Sequence, residues 1–296
     1  MHRIGIVFCL ALAVVCAAAP ARAETRAATF PTAFRPHGLN TIAVSRTAPV
    51  AFVGSRDTDT LFAFDPRTGE GVGQIEVADG PLAIDMLETP TRRLLAVTCD
   101  GFLGDAGSLV AIVDATDPAN MTFERTIALP DGEIFFLGSR AIRFLDASTL
   151  LVTGTDDETA RGSLYAYDVA TGAERGRVDV GFVPASVEVG AADGRRIAAV
   201  SQSVAPRGRV SLVDVTDPGA MSVAATVKFP RKSGLYNVTN IAIGGDGRTG
   251  FIATGDGNAV FAFDLGTGRV GRRLRSRCGR RGRRRPRRPP VSRLGR

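Results

Sequence analysis

Two short segments concentrate acidic side chains that could bind a cation. They are RDTDT at residues 56–60 and TDDET at residues 155–159. Calcium takes six to eight oxygen ligands, many of them from carboxylates. Neither segment has the glycine-containing loop and distal glutamate of an EF-hand. We therefore expect solvated loop acids and no metal site, with Ca²⁺ kept as a weaker alternative cofactor.

Other reactive residue types are scarce. His37 is the one histidine after the first 23 residues, which excludes a histidine-rich metal site and a histidine pair for acid–base catalysis. Cys99 ends an apolar segment, so we expect a buried thiol there. Gly245, Gly247 and Gly250 match G-x-G-x-x-G, but the strand-like FIATG follows where a dinucleotide site needs a helix. We expect a hairpin turn at these glycines.

These residues lie within a repeat of about fifty residues. Each copy is an alternating apolar strand that ends in Asp, followed by a turn rich in Gly, Pro, Thr and Asp. The copies are TLFAFDPRTGEGV (60–72), SLVAIVDATDPANM (108–121), SLYAYDVATGAERG (163–176), RVSLVDVTDPGAM (209–221) and AVFAFDLGTGRVG (259–271). Their aspartates are Asp65, Asp114, Asp168, Asp214 and Asp264.

Further short strands flank each copy. Two precede it, as in LAIDML (82–87) and LLAVTCD (94–100), and one follows it, as in RTIALP (125–130). Period-two alternation with turn residues between the strands predicts antiparallel β-sheet. Four strands in about 40–50 residues are typical of one β-propeller blade. We expect the strand nearest the propeller axis to be the most evenly apolar.

The repeats resemble the propeller family named for a Tyr-Val-Thr-Asn (YVTN) motif and its relative with Leu-Val-Ile-Val-Asp repeats. FIATGDGNAVFAFDLGTGRV (251–270) is similar to the first pattern, and SLVAIVDATDP (108–118) is similar to the second. The resemblance covers about residues 38–270 and implies an all-β propeller of four-stranded antiparallel blades. Such rings have roughly six to eight blades. Because five repeats are present, we expect about five blades of a ring truncated at the C-terminus.

In such a fold, loops entering the innermost strands and loops between the second and third strands surround the central channel. By analogy of fold we expect a ligand-binding site at this channel face. The candidate ligand-binding residues are Arg56, Asp57, Asp100, Asp156, Arg207, Tyr236, Asn237 and Asp256. Because the aspartates outnumber the arginines in this set, cationic or polyol ligands fit it better than anions do.

Residues 1–23 predict a secretory signal peptide. Arg3 precedes the apolar run Ile4–Ala19, and Ala21 and Ala23 form an Ala-x-Ala cleavage site. The run is shorter than the roughly 18–20 residues needed to span a bilayer. We therefore expect a periplasmic or secreted protein with no membrane span, in which residues 24–271 form the propeller domain.

Residues 272–296 differ sharply in composition from that domain. They hold 13 arginines and no acid, whereas residues 24–271 hold 22 basic and 30 acidic residues. The net charge of +7 therefore hides an acidic body. We expect this Arg/Gly/Pro-rich tail to be disordered and to result from a reading-frame change in a GC-rich gene. The alternative is a native basic arm that contacts anionic polymers.

These observations favour a non-catalytic binding or interaction protein over an enzyme, because no recognisable catalytic set is present. The expected partner is a small molecule, a polymer or a protein. We do not expect nucleic acid, because no aromatic residue among the tail arginines could stack on bases. The alternative is a hydrolase similar to lactonase-type propellers, which would use channel acids and a divalent cation.

Overall fold

The computed structural model describes residues 39–100, 108–130, 132–134, 142–202, 208–229, 240–254 and 259–275. Within these ranges the chain forms five antiparallel sheets and no helix. The sheets correspond one to one to the five sequence repeats, and we call them blades 1 to 5. The prediction of about five four-stranded propeller blades is confirmed.

The strands of each blade pair in chain order. Blade 1 consists of β1 (Leu39–Val44), β2 (Ala51–Ser55), β3 (Thr60–Phe64) and β4 (Gly71–Glu76). Blade 2 consists of β5 (Pro81–Glu88), β6 (Arg93–Cys99), β7 (Leu109–Asp114) and β8 (Thr122–Ala128). Blade 3 consists of β10 (Ile142–Phe144), β11 (Thr149–Asp156), β12 (Arg161–Asp168) and β13 (Glu174–Phe182), with the short β9 (Glu133–Ile134) paired to β11.

Blade 4 consists of β14 (Pro184–Ala192), β15 (Arg195–Gln202), β16 (Arg209–Asp214) and β17 (Ser222–Lys228). Blade 5 consists of β18 (Ile241–Ile243), β19 (Thr249–Thr254), β20 (Ala259–Asp264) and β21 (Val270–Arg275). The first strands of consecutive blades lie side by side, which places them nearest the common axis. Strand β21 runs past residue 271, where the change in composition suggested that the domain ends. An outermost strand needs only backbone pairing on one side, so this position is compatible with a run of arginines.

The repeated aspartate has the same structural role in every blade. Its Oδ1 accepts a hydrogen bond from a backbone N–H two or three residues later, at 2.8–3.0 Å. This side-chain bond substitutes for a backbone turn bond and reverses the chain between the third and fourth strands. The repeated Asp therefore defines a turn.

Four apolar cores hold the blades together, one between each pair of consecutive blades. Between blades 1 and 2, Phe52 and Leu61 pack with Leu95 and Val97. The other cores include Val110 with Leu150 for blades 2 and 3, Leu164 with Val213 for blades 3 and 4, and Leu212 with Phe261 for blades 4 and 5. The described residues form no fifth core of this kind between blades 5 and 1.

The expectation that the innermost strand is the most evenly apolar is wrong. In blade 2 the middle strands are buried throughout, from Leu94 to Cys99 and from Val110 to Val113, whereas β5 is only half-buried from Ile84 onward. The two middle strands have a neighbouring blade on each face. The innermost strand instead borders the axis, where polar side chains are tolerated.

The blades are of two alternating kinds, distinguished by the turn between their third and fourth strands. Blades 1, 3 and 5 have a Gly turn, containing Thr-Gly at 68–69, 171–172 and 267–268. Blades 2 and 4 have a Pro turn, containing Thr-Asp-Pro at 116–118 and 216–218. In blades 2 to 5 the turn rests on the outermost strand of the preceding blade. A Cβ added at Gly172 would lie 3.5 Å from Cγ1 of Ile127 in blade 2, and one at Gly268 would lie 3.5 Å from Cβ of Ala225 in blade 4.

The Pro turns approach the preceding blade still more closely. A Cβ added at Gly73 of blade 1 would lie within 3.0 Å of the carbonyl oxygen of Pro118 in blade 2. A Cβ added at Gly176 of blade 3 would be equally close to the carbonyl oxygen of Pro218 in blade 4. The absence of a side chain at Gly73 and Gly176 therefore allows the Pro turn to seat against the outermost strand.

Candidate functional site

Three charged side chains join the innermost strands of blades 2, 3 and 4. Arg143 of β10 donates from Nη1 to Oδ1 of Asp85 in β5 at 3.0 Å, and its Nη2 lies 3.4 Å from Oε2 of Glu188 in β14. The backbone N–H of Phe144 donates to the other oxygen of Asp85 at 2.7 Å. We call Asp85, Arg143 and Glu188 the inner-strand charge ladder.

The ladder is largely shielded from solvent. The side chains of Asp85 and Glu188 are 14% and 9% exposed, and that of Arg143 is 35% exposed. Burial raises the pKa of Asp85, and the Arg143 guanidinium and the Phe144 N–H offset this effect only in part. The Asp85 carboxyl therefore binds a proton more readily than an exposed aspartate does.

The predicted site residues Arg56 and Asp100 meet across blades 1 and 2. Nη2 of Arg56 donates to Oδ2 of Asp100 at 2.6 Å. Gly80, in the link between the two blades, donates from its N–H to Oδ1 of Asp59 at 2.9 Å and accepts from the N–H of Asp100 at 3.2 Å. Because Gly80 has a φ of +73° and a Cβ there would collide with Oδ1 of Asp100, only glycine suits this position. This cluster joins the two blades at the end where the predicted channel loops lie.

Two other predicted residues, Asp57 and Asp156, lie in turns of their own. Asp57 is exposed in the turn after Arg56. Asp156 ends β11, and its Oδ1 accepts from the N–H and the hydroxyl of Thr159 at 2.7 and 2.5 Å. These hydrogen bonds lower the pKa of Asp156 and fix its own turn. Arg207, Tyr236, Asn237 and Asp256 lie outside the described residues, as does His37.

Cys99 is fully buried, as expected from the sequence. Burial, with a smaller effect of the nearby Asp100, Asp59 and Asp79 carboxylates, raises the pKa of its thiol to about 12. A thiol in this state is not a nucleophile at neutral pH. The segment containing Gly245, Gly247 and Gly250 is the hairpin between β18 and β19, as predicted. In the described part of the chain, no three His, Cys, Asp or Glu side chains group as a metal site would require.

The opposite end of the blades is neutralised by ion pairs. The turn aspartates pair with arginines, as in Asp168 with Arg175 and Asp264 with Arg248. Glu88 of blade 2 accepts from the hydroxyls of Ser45 and Thr47, the N–H of Arg46 and the guanidinium of Arg93, at 2.6–3.0 Å. Burial alone would raise the pKa of Glu88, but these hydrogen bonds outweigh it and lower the pKa to about 2. These acidic side chains are therefore already paired with hydrogen-bond donors of the protein itself.

Sequence reasoning missed the charge ladder. A signal for it was present, because one charged residue interrupts each of the apolar segments LAIDML (82–87), AIRFL (141–145) and ASVEVG (185–190). The three segments form the innermost strands β5, β10 and β14, where such a residue lies beside the axis.

Comparison with known proteins supports the architecture alone. No protein-family profile matches the chain, and no curated protein sequence matches it. Similar solved structures include Kuenenia stuttgartiensis hydrazine synthase, with a TM-score of 0.59 at 16% identity over 77% of this chain and 64% of that chain. The Myceliophteria thermophila Cps50 (Swd1) β-propeller domain has a TM-score of 0.59 at 12% identity, over 80% of this chain and 73% of that chain. The Dos1 propeller has a TM-score of 0.55 at 14% identity, over 77% of this chain and 55% of that chain. This chain thus spans less than two thirds of the hydrazine synthase and Dos1 chains, and the fold it shares with all three neighbours is the β-propeller.

Proposed function

We propose that this protein is an exported, non-catalytic β-propeller that binds a polar ligand or partner group at the inner-strand charge ladder. The observation that carries the proposal is the ladder itself, in which Asp85, Arg143 and Glu188 connect three blades beside the axis. Burying ionised groups costs free energy even when they are paired, and an apolar set would stabilise the blades at least as well. Binding accounts for charged residues at these positions better than stability does.

The chemistry of the ladder favours ligands that donate hydrogen bonds. Two carboxylates flank one guanidinium, and carboxylates accept hydrogen bonds while repelling anions. Polyols and ligands with ammonium groups therefore suit this site. The Arg56–Asp100 pair neutralises itself, so it contributes little net charge to the neighbouring loop face.

A ligand panel tests the proposal. Spermidine, maltotriose and citrate would be titrated by calorimetry and by thermal unfolding into the protein and its Glu188→Gln variant. We expect spermidine or maltotriose to raise the melting temperature, citrate to have no effect, and Glu188→Gln to weaken binding about tenfold. A ligand at a hundred times its Kd stabilises the folded state by about 2.7 kcal/mol, which is readily detected.

Asp179→Asn is the matched control. Asp179 also pairs with an arginine, Arg161, but both side chains are more than half exposed at 58% and 68%. This variant should bind as the wild type does. Loss of binding in both variants, or no response to any hydrogen-bond-donating ligand, would refute a site at the ladder.

Export is the second part of the proposal and rests on residues 1–23. Expression of the full chain in a Gram-negative host should give a periplasmic or secreted product whose first residue is Glu24, as read by N-terminal mass spectrometry. An unprocessed cytosolic product would contradict export without affecting the binding proposal. The likeness of the repeats to YVTN-type propellers is consistent with an exported binding protein.

One observation favours a hydrolase as the second candidate. Burial raises the pKa of Asp85, which favours the protonated form that a carboxyl group needs in order to act as a general acid. A panel of lactones assayed with and without Ca²⁺ or Mn²⁺ would reveal such an activity. It should disappear in Asp85→Asn, and a wild-type protein inactive on every lactone would eliminate this candidate.

A further inference from the structure

The strand pairing places the charge ladder at one level around the axis. In blade 2, Leu94 pairs with the repeated Asp114, and Ala96, two residues later, pairs with Asp85 of the innermost strand. Counted in the same way, the innermost-strand residues of the five blades are Ala43, Asp85, Arg143, Glu188 and Ala242. The ladder therefore occupies three of these positions, and an alanine lies next to it at each end.

The two alanines leave space on both sides of the ladder. Ala43 and Ala242 are half-buried, so solvent reaches the innermost strands beside them. Each presents only a methyl group at the level where the intervening blades carry Asp85, Arg143 and Glu188. A ligand that contacts the ladder therefore has room beside these alanines, and the size of their side chains limits how bulky it can be.

Arg143 is the most accessible member of the ladder and brings donors that the ladder does not use. A guanidinium has five N–H donors and no acceptor. Among the described residues, one of these donors bonds to Asp85 at 3.0 Å, and the contact of Nη2 with Glu188, at 3.4 Å, is longer than an ordinary N–H···O hydrogen bond. A ligand that displaces water from Arg143 must offer oxygen acceptors to it, because a donor left unpaired weakens binding.

Asp85 places acceptors directly beside these donors. Its Oδ1 accepts from Arg143 and its Oδ2 from the N–H of Phe144, but an ionised carboxylate has about four acceptor positions. A ligand group next to the pair can therefore donate to Asp85 and accept from Arg143. A hydroxyl group does both, whereas an ammonium group only donates and a carboxylate only accepts.

We propose that the ladder binds a neutral sugar or sugar alcohol, whose neighbouring hydroxyl groups accept from Arg143 and donate to Asp85 or Glu188. This inference rests on the proposed function and narrows its two ligand classes to one. A polyamine would bring positive charges against the guanidinium and leave the Arg143 donors unpaired. An anion would have to approach Arg143 between two carboxylates, which repel it.

Three probes distinguish the chemical groups that are recognised. Maltotriose has hydroxyl donors and acceptors, permethylated maltotriose keeps acceptors only, and spermidine brings donors and positive charge. Each would be titrated by calorimetry into the full chain. We expect maltotriose to bind at least about tenfold more tightly than either of the other two, because each of them leaves part of the ladder unpaired.

The outcome of this titration separates the inference from the proposed function. Spermidine or permethylated maltotriose binding as tightly as maltotriose, with the binding weakened in Glu188→Gln, would overturn the sugar inference and leave a polar site at the ladder. Absence of a response to all three probes would overturn both.

Substitution of Arg143 tests its part in recognition. Arg143→Lys keeps a positive charge between the carboxylates but removes the planar set of donors. It should weaken maltotriose binding about tenfold and leave spermidine binding unchanged. Thermal unfolding without ligand checks that the variant folds. Maltotriose binding that is unaffected by Arg143→Lys but weakened by Glu188→Gln would contradict acceptance from Arg143.

The space beside the ladder is tested by filling it. Ala43→Leu and Ala242→Leu leave all three ladder residues in place, and we expect at least one of them to weaken maltotriose binding about tenfold. Ala224→Leu, at an exposed position of the outermost strand β17, adds the same side chain far from the axis and should bind as the wild type does. Full maltotriose binding in both Ala43→Leu and Ala242→Leu would show that the ligand does not lie at this level of the axis.

Discussion

Substitution of the glycines beneath the Pro turns tests how the blades are joined. Gly73→Ala adds one methyl group that would lie within 3.0 Å of the carbonyl oxygen of Pro118. The oxygen belongs to backbone, so the whole turn must move away from β4. Overpacking of this kind costs typically about 1–3 kcal/mol. Replacing glycine by alanine returns about 0.4–1 kcal/mol through the unfolded chain, so the expected net loss is about 1–2 kcal/mol.

Gly176→Ala should cost a similar amount, since Pro218 approaches it in the same way. Gly271→Ala is a control on the outermost strand of blade 5, because its nearest contact would be 3.7 Å away within its own blade. It should change stability by less than about 0.5 kcal/mol. All three substitutions add one methyl group to an outermost strand, so a larger loss at Gly73 and Gly176 reports the close approach of a neighbouring turn.

Urea denaturation followed by far-UV circular dichroism provides the measurement. The shift of the midpoint multiplied by the slope m gives the change in the free energy of unfolding. If Gly271→Ala lowers the midpoint as much as Gly73→Ala does, the cost arises from the strand position and not from the turn. If neither Gly73→Ala nor Gly176→Ala has an effect, the close approach of the Pro turns is wrong.

Three further predictions concern single buried groups. The pKa of Glu88, about 2 in the folded protein, lies below its usual 4.5, so its contribution is present above pH 4.5 and is lost as the pH falls toward 2. Urea midpoints of Glu88→Gln should therefore depend less on pH in this range than those of the wild type. The pKa of Asp85 is raised, so the folded state loses stability as the pH rises above the usual value of 3.8. The stability of Asp85→Asn relative to the wild type should therefore increase between pH 3 and pH 7, and the opposite trend would contradict a desolvated carboxyl. Peptide mapping after iodoacetamide treatment should show Cys99 labelled only in urea, since a buried thiol with a pKa of about 12 is inert.

The sequence was sufficient to predict the blades because their information is local. In segments such as residues 108–121, the alternation of side chains indicates a strand. The Asp at the end of that strand accepts a hydrogen bond from a backbone N–H two or three residues later, in the turn. The fixed spacing of the repeats then gives the number of sheets. All three signals can be read from the sequence without knowing which blades contact each other.

Contacts between blades could not be predicted in the same way. The partners Arg143 and Asp85 are 58 residues apart, and Asp85 and Glu188 are further apart still. Periodicity shows that a charged residue lies on an innermost strand but not which residue faces it. The loop residues were predicted by analogy, and among those that the structure describes, Arg56 and Asp100 form an ion pair.

The alternation of Gly and Pro turns limits the sizes that an array of this kind can take. A closed circle can alternate two kinds of member without a mismatch only if their number is even. Loss or duplication of one blade would make two Gly-turn blades or two Pro-turn blades neighbours. The carbonyl oxygen of a Pro turn would then lack the glycine on which it rests, or such a glycine would lack its Pro turn. Growth and shrinkage of such a protein over evolution should therefore proceed two blades at a time, so the heritable unit is a pair of about one hundred residues.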